Sequence, residues 1–237
     1  MKGGVFMPTY EGLRLKIQKK IRTNQFLVNR RKKSLVDDSF TIISNNCWGG
    51  MIYESYGLSK LSPTVGSFFM ASDYIKFISD LEGYTTGELR FIKPEESRWK
   101  SRSEVSGDKR FGTYPIGVLS NGINEIEIFF LHYHDEDEAA SKWKRRCNRI
   151  NWDRLLIKFN DQNGCTDKDI VDFINLKREN KVFFTARCWS AERVYKNALR
   201  GGFVRIKQIF ENEHVMASYE PFGKSKYMDV TRVINCL

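Results

Sequence analysis

Short runs rich in β-branched and aromatic residues alternate with stretches of helical period along most of this chain. That alternation restricts it to an α/β architecture with a mainly parallel sheet. The strand-like runs are FTIIS (40–44), LRFIK (89–93), EIEIFFLH (125–132), RLLIKF (154–159), KVFFTA (181–186) and FVRIKQI (203–209). Between them, MASDYIKFISDL (70–81) sets Tyr74, Phe77, Ile78 and Leu81 on one helical stripe. DEDEAASKWKRRCNRI (135–150) starts acidic and ends basic, the order a helix dipole favours. Thr166 with Asp169 opens another helix as a capping-box variant, and SAERVYKNALRGG (190–202) runs from a Ser cap to a Gly pair.

The fold expected is Rossmann-like, a parallel sheet flanked by helices. In such sheets ligands bind beyond the carboxyl ends of the strands. Polar residues do collect there: NNCWGG after the first run, HYHDED after EIEIFFL, NDQNGC after RLLIKF and RCWS after KVFFTA. Four strand ends sharing one crevice is the expectation. The polar stretch 94–112 reads as a long loop over it.

NNCWGG has neither GxGxxG spacing nor a Walker lysine, so it is no standard nucleotide fingerprint. Asn45, Asn46, Trp48, Gly49 and Gly50 read either as substrate contacts or as an Asn-capped turn around a buried Trp48. Cys47 could be a nucleophile, but spacing shows no Cys–His pair, which favours a small buried thiol. His132 is a candidate general base, and His134 would share its side of a strand. Asp135 and Asp137 are weak candidates for a divalent cation, Mn or Mg, or else mark a helix N-terminus. Lys142, Arg145, Arg146 and Arg149 form a helical stripe suited to a diphosphate or to solvent. Lys158, Asn160 and Asp161 stand at a strand end, with Asp161 a second candidate base. Asn163 and Gly164 have turn chemistry. Asn151 leads into that strand, and Ser62 and Thr64 offer loop hydroxyls.

The charge of +10 is unevenly placed. Gly12 to Val36 holds nine Lys or Arg and no acid, which leaves +1 for the remainder. LRLKIQKKIRTNQFLV (13–28) reads as one basic amphipathic helix, so residues 13–33 are expected at an anionic membrane surface rather than packed on the body or on nucleic acid. This divides the chain into a basic segment, 1–36, and an α/β body, 37–237, of catalytic type. The five cysteines form no CxxC pair, no apolar run reaches about 18 residues, and the N-terminus lacks a secretory apolar region. A reducing cytoplasm is the natural setting, with the protein peripheral at the inner face of the membrane.

FTIISNNCWGG, SPTVGSFF, SDYIKFISDLE, YPIGVL, EIEIFFLHYHDEDEAASKWKRRCNRINWDRLLIKFNDQNGCT and KVFFTA occur here in one order. In that order they resemble a bacterial domain-of-unknown-function family, number 1919, whose members are labelled exopolysaccharide biosynthesis proteins. The resemblance spans roughly residues 40–186. It implies an α/β fold and a part in building capsule or exopolysaccharide. Interpreted as glycosyl transfer, galactofuranosyl transfer included, it would use a nucleotide-diphosphate sugar donor and a lipid-linked glycan acceptor. His132 or Asp161 would then deprotonate the acceptor, and Arg146 and Arg149 would face the leaving diphosphate. The alternatives are an acyl- or phosphoryl-group transferase decorating the glycan, or a non-catalytic glycan- or assembly-binding protein.

Overall fold

A computed structural model describes residues 10–206, 223 and 227–237. Strands β1 (Thr41–Ser44), β5 (Leu155–Asn160), β6 (Lys181–Thr185) and β7 (Phe203–Arg205) form a parallel sheet in the order β1-β5-β6-β7. Every residue of β1 and β5 is buried, as expected where helices cover both faces of a parallel sheet. Alternate residues divide into two cores. Ile42, Leu156, Val182, Phe184 and Val204 face one layer, and Ile43, Ile157, Phe159 and Phe183 face the other. Burying one such Phe or Ile contributes roughly 1.5–3 kcal/mol. Residues 207–209 of the last strand-like run lie outside the described residues.

LRFIK and EIEIFFLH are strands, but not of this sheet. With an unexpected strand between them they form a separate antiparallel sheet, β2 (Glu88–Ile92), β3 (Ile116–Ser120) and β4 (Glu125–Phe129). The turn after β3 explains the pairing. Gly122 takes φ 86°, and Asn121 Oδ1 accepts from the amides of Ile123 and Asn124 at 3.1 and 2.8 Å. So short a connection can only return the chain antiparallel. Gly117 hides β3 from a propensity reading, yet a Cβ there would stand 2.7 Å from Leu89 and 2.8 Å from Phe130.

The helices fall near their expected places: α4 (Ala71–Ser79), α7 (Glu136–Cys147), α8 (Asp167–Asn175) and α9 (Glu192–Ala198). The 70–81 stretch stops early, because Asp80 caps a new helix, α5 (Leu81–Thr86), through the Gly83 amide at 3.1 Å. Thr166 and Asp169 make the capping box on α8, whereas α9 does not open at the expected Ser190 cap: it starts after Ala191 with no side-chain cap. The basic segment is two helices rather than one. Asn24 accepts from Leu27 N at 3.1 Å and separates α1 (Tyr10–Thr23) from α2 (Gln25–Lys33). One edge of the pair packs on α3 (Trp48–Ser55), through Arg22 to Glu54 at 2.5 Å and Arg31 to Ser55 O at 2.7 Å. The outer edge leaves Leu13, Ile17 and Phe26 50, 49 and 74% exposed beside Lys16, Lys19, Lys20 and Arg30. Among the described residues no helix is long and apolar enough to cross a membrane.

Candidate active site

The end of β1 turns directly into α3, and hydroxyl and amide side chains hold that turn. Thr64 Oγ1 accepts the Ser44 amide at 3.1 Å and lies 3.1 Å from Ser62 Oγ. Residues 66–68 then run beside the end of β4. Phe68 and Phe129 exchange two backbone hydrogen bonds of 3.0 Å, and Gly66 O accepts His132 N at 3.0 Å. This splice joins the two sheets and carries His132 across to the end of β1. There Cys47 Sγ stands 3.4 Å from His132 Nε2. The pair is 85 residues apart in sequence, so spacing could not reveal it.

The pair opens into a cavity of about 230 Å³. Asn46, Cys47 and Met51 line it from the first strand end, Leu131 and His132 from the β4 end, and Gln162 and Asn163 from the β5 end. Phe68 completes the inner wall, and Glu104, Asp108 and Arg110 close the outer one. Those last three come from the expected loop, which is not structureless: it carries a 3₁₀ turn and the short helix α6 (Ser103–Ser106). Two buried carboxylates anchor its start. Asp73 accepts from Arg98 Nη2 at 2.5 Å, Trp99 Nε1 at 2.8 Å and Glu127 N at 3.0 Å. Glu127 accepts from Ser97 Oγ at 2.5 Å and Arg98 N at 2.8 Å.

Burial pushes the Cys47 thiol up, while Arg110 and Lys158 pull it back only in part. Burial also lowers His132, and Arg110 and Lys60 lower it further. Both shifts favour the uncharged forms, a thiol beside a neutral imidazole. Cys47 is also the N-cap of α3, whose positive end favours negative charge developing on sulfur.

Behind Cys47 lies a buried amide network. Lys158 Nζ donates to Asn160 Oδ1 at 2.6 Å, Asn46 Oδ1 at 3.0 Å and Asn45 Oδ1 at 3.5 Å. Fully buried with these neutral partners, the Lys158 ammonium is held well below the usual lysine range by desolvation, against the pull of Asp161 and Cys47. Asn46 Nδ2 donates to Asn160 Oδ1 and to Gln162 Oε1, both at 2.9 Å, and Asn160 Nδ2 donates to Gln162 Oε1 at 2.7 Å.

Of the other expected site residues, several serve the fold. Trp48 is buried edge-on against Phe184, with ring centroids 5.3 Å apart. Gly49 and Gly50 allow α3 to close on its neighbours, since a Cβ would meet Ile42 at 3.2 Å and Val65 at 3.0 Å. Asn45 ties β1 to β5 by donating to Asn160 O at 3.2 Å. Arg146 is buried, donating to Val65 O at 3.0 Å and Tyr133 OH at 2.5 Å, so it is not open to a diphosphate. Arg149 is exposed beyond α7. Asn151 donates to Ser39 O at 2.7 Å at the amino end of β5, the wrong end of the sheet for the crevice. The His134 amide bonds Glu138, Asp135 N-caps α7 and Asp137 lies exposed in its first turn. Among the described residues no three His, Cys, Asp or Glu side chains gather as a metal site.

Asp161 does not join His132. Its Oδ2 accepts from Thr185 Oγ1, from Arg187 N at 3.3 Å and from Trp189 Nε1 at 3.3 Å, and it closes the ends of β5 and β6 outside the cavity. Thus three of the four polar strand ends meet, and RCWS serves Asp161 instead. The expected site included neither Gln162 nor Arg110, which the cavity lining adds. Gln162 had a signal: it follows Lys158 and Asn160 at strand period on one face.

Comparison with known proteins adds family membership without an activity. A family model described as a domain of unknown function, DUF1919, matches residues 17–236. It reaches well beyond the 40–186 over which the motifs were legible, taking in the second half of α1 and the C-terminal part. An "Uncharacterized protein" of Haemophilus influenzae is 31% identical over 210 residues, covering 88% of this chain and 89% of that one.

Proposed function

The chain belongs to the DUF1919 family, and from that premise we propose that it is a cysteine-dependent acyl-group transferase with Cys47 as nucleophile and His132 as general base. The observation that carries this reading is the 3.4 Å approach of Cys47 Sγ to His132 Nε2 in a cavity at the carboxyl ends of the strands. Cavity size favours a small group. About 230 Å³ holds a short acyl chain, whereas pockets for larger ligands run from about 300 to 1,000 Å³. Sulfur attacks the acyl carbonyl carbon and its proton passes to His132 Nε2. The carbonyl electrons move to oxygen and return as the leaving group departs with that proton. An acceptor hydroxyl then attacks the thioester, gives its proton to His132, and the thiol re-forms.

We propose a glycan hydroxyl as the acceptor, in exopolysaccharide or capsule synthesis, the role that the resemblance of the motifs implies. The outer edge of α1 and α2, basic with exposed Leu13, Ile17 and Phe26, would hold the enzyme at the anionic inner face of the membrane, where lipid-linked acceptors lie. Glycosyl transfer from a nucleotide sugar is the second reading. It draws on the Asn46, Gln162 and Asn163 amides, which suit sugar hydroxyls, and on Arg110, which suits a phosphate.

The test is intact-mass analysis after exposure to p-nitrophenyl acetate. One acetyl group on wild type, lost in Cys47→Ser, is expected. Label retained on Cys47→Ser, or a melting shift with a nucleotide sugar and no acylation, would move the assignment to the second reading.

A further inference from the structure

We infer that Gln162 is the oxyanion donor of this site, the group that holds the negative oxygen of the tetrahedral intermediate formed on Cys47; this rests on the acyl-transfer reading above. The orientation of its amide follows from one backbone group. Trp48 N–H donates to Asn46 Oδ1 at 3.1 Å, which fixes that oxygen and turns Asn46 Nδ2 toward Asn160 and Gln162. Both must then present oxygen. Gln162 Oε1 accepts from Asn46 Nδ2 at 2.9 Å and from Asn160 Nδ2 at 2.7 Å, so reversing the Gln162 amide would set three NH₂ groups against one another. The chain of donors holds whether or not Lys158 carries its proton, because its anchor is a peptide N–H.

The far side of this arrangement is a free donor. Gln162 is 5% exposed, lines the cavity with Cys47 and His132, and its Nε2 donates to no atom among the described residues. Nor is that nitrogen sealed in protein. The sealed side-chain atoms without partners among the described residues are Gln18 Oε1, Trp48 Nε1, Arg154 Nε and Asp161 Oδ1. Gln162 Nε2 therefore keeps its contact with the cavity itself. A preorganised N–H gains most when charge develops on the oxygen facing it, and costs no reorganisation at that moment. The buried Asn46, Asn160 and Lys158 side chains thus act as positioning residues. They hold one amide against rotation, where a lone glutamine would sample both faces.

The experiment compares two reactions of the same sulfur. Acylation by p-nitrophenyl acetate passes through an oxyanion; alkylation by iodoacetamide, at a saturated carbon, does not. For Gln162→Ala, acylation of Cys47 should slow by about 100-fold or more while alkylation keeps its wild-type rate; for Gln162→Glu, whose carboxylate opposes thiolate formation and so slows both, acylation should slow by about 100-fold more than alkylation. Retention of the wild-type acylation rate in either variant overturns the inference. So does a parallel loss of both reactions, which would mean that Gln162 positions Cys47 instead. Absence of Cys47 acylation in wild type removes the acyl-transfer reading and this inference with it. The Glu variant, nearly isosteric and still able to accept from Asn46 and Asn160, guards against a misfolded Ala variant.

Discussion

His132 Nε2 lies 3.4 Å from Cys47 Sγ, and the two come from different sheets. The splice of residues 66–68 onto β4 is what joins them. A nucleophile and base held this way depend on the register between the sheets as much as on either residue.

The lowered His132 fixes a pH signature. Its folded value lies below its ordinary 6.5, so as pH falls through 6.5 the unfolded chain takes a proton before the folded chain does. Wild type should therefore lose stability relative to His132→Gln below that pH, and thermal midpoints of the two measured from pH 8 to 5 should diverge. Acylation of Cys47 should fall over the same acid range, as the base is protonated. Parallel midpoint curves would show that His132 is not perturbed.

Asp161 carries the opposite sign. Burial raises its carboxyl above the ordinary 3.8, so the stability it contributes is present below that pH and is lost as pH rises through the folded value. Against Asp161→Asn, wild type should weaken on leaving the acid range, while the variant acylates Cys47 at the wild-type rate. A variant that folds normally yet no longer acylates would restore Asp161 to the chemistry.

The basic edge makes a prediction independent of the cavity. Lys16, Lys19 and Lys20 stand exposed near Ile17. At about 1 kcal/mol per basic residue near an anionic surface, neutralising all three as glutamines should weaken binding to phosphatidylserine vesicles roughly 100-fold. Co-sedimentation measures it, with phosphatidylcholine vesicles as the neutral control. Equal partition of wild type onto both kinds of vesicle would leave the charge without a membrane role.

The sequence was most legible where chemistry is local. The Thr166–Asp169 capping box, the acid-to-base order of α7 and the polar strand ends of β1 and β5 are written in neighbouring residues, and each holds in the structure. It was least legible where distant segments meet. Cys47 and His132 lie 85 residues apart, and nothing near either names the other; Gly117 hides the strand Ile116–Ser120 that EIEIFFL pairs with, despite the Asn121–Gly122 turn between them. Asp161 misled because a carboxylate at a strand end looks catalytic. Strand parity alone separates it from Lys158, Asn160 and Gln162, which share the other face.

The anchoring of the 94–114 segment also separates two kinds of change that a family can undergo. Asp73 and Glu127 grip it at Ser97, Arg98 and Trp99, while its cavity-facing residues, Glu104, Asp108 and Arg110, come later. The grip and the reacting pair share no residue with that outer wall. Descendants of such a chain can redraw what is admitted by rewriting a few positions between the anchor and β3, and the machinery beneath inherits its alignment intact.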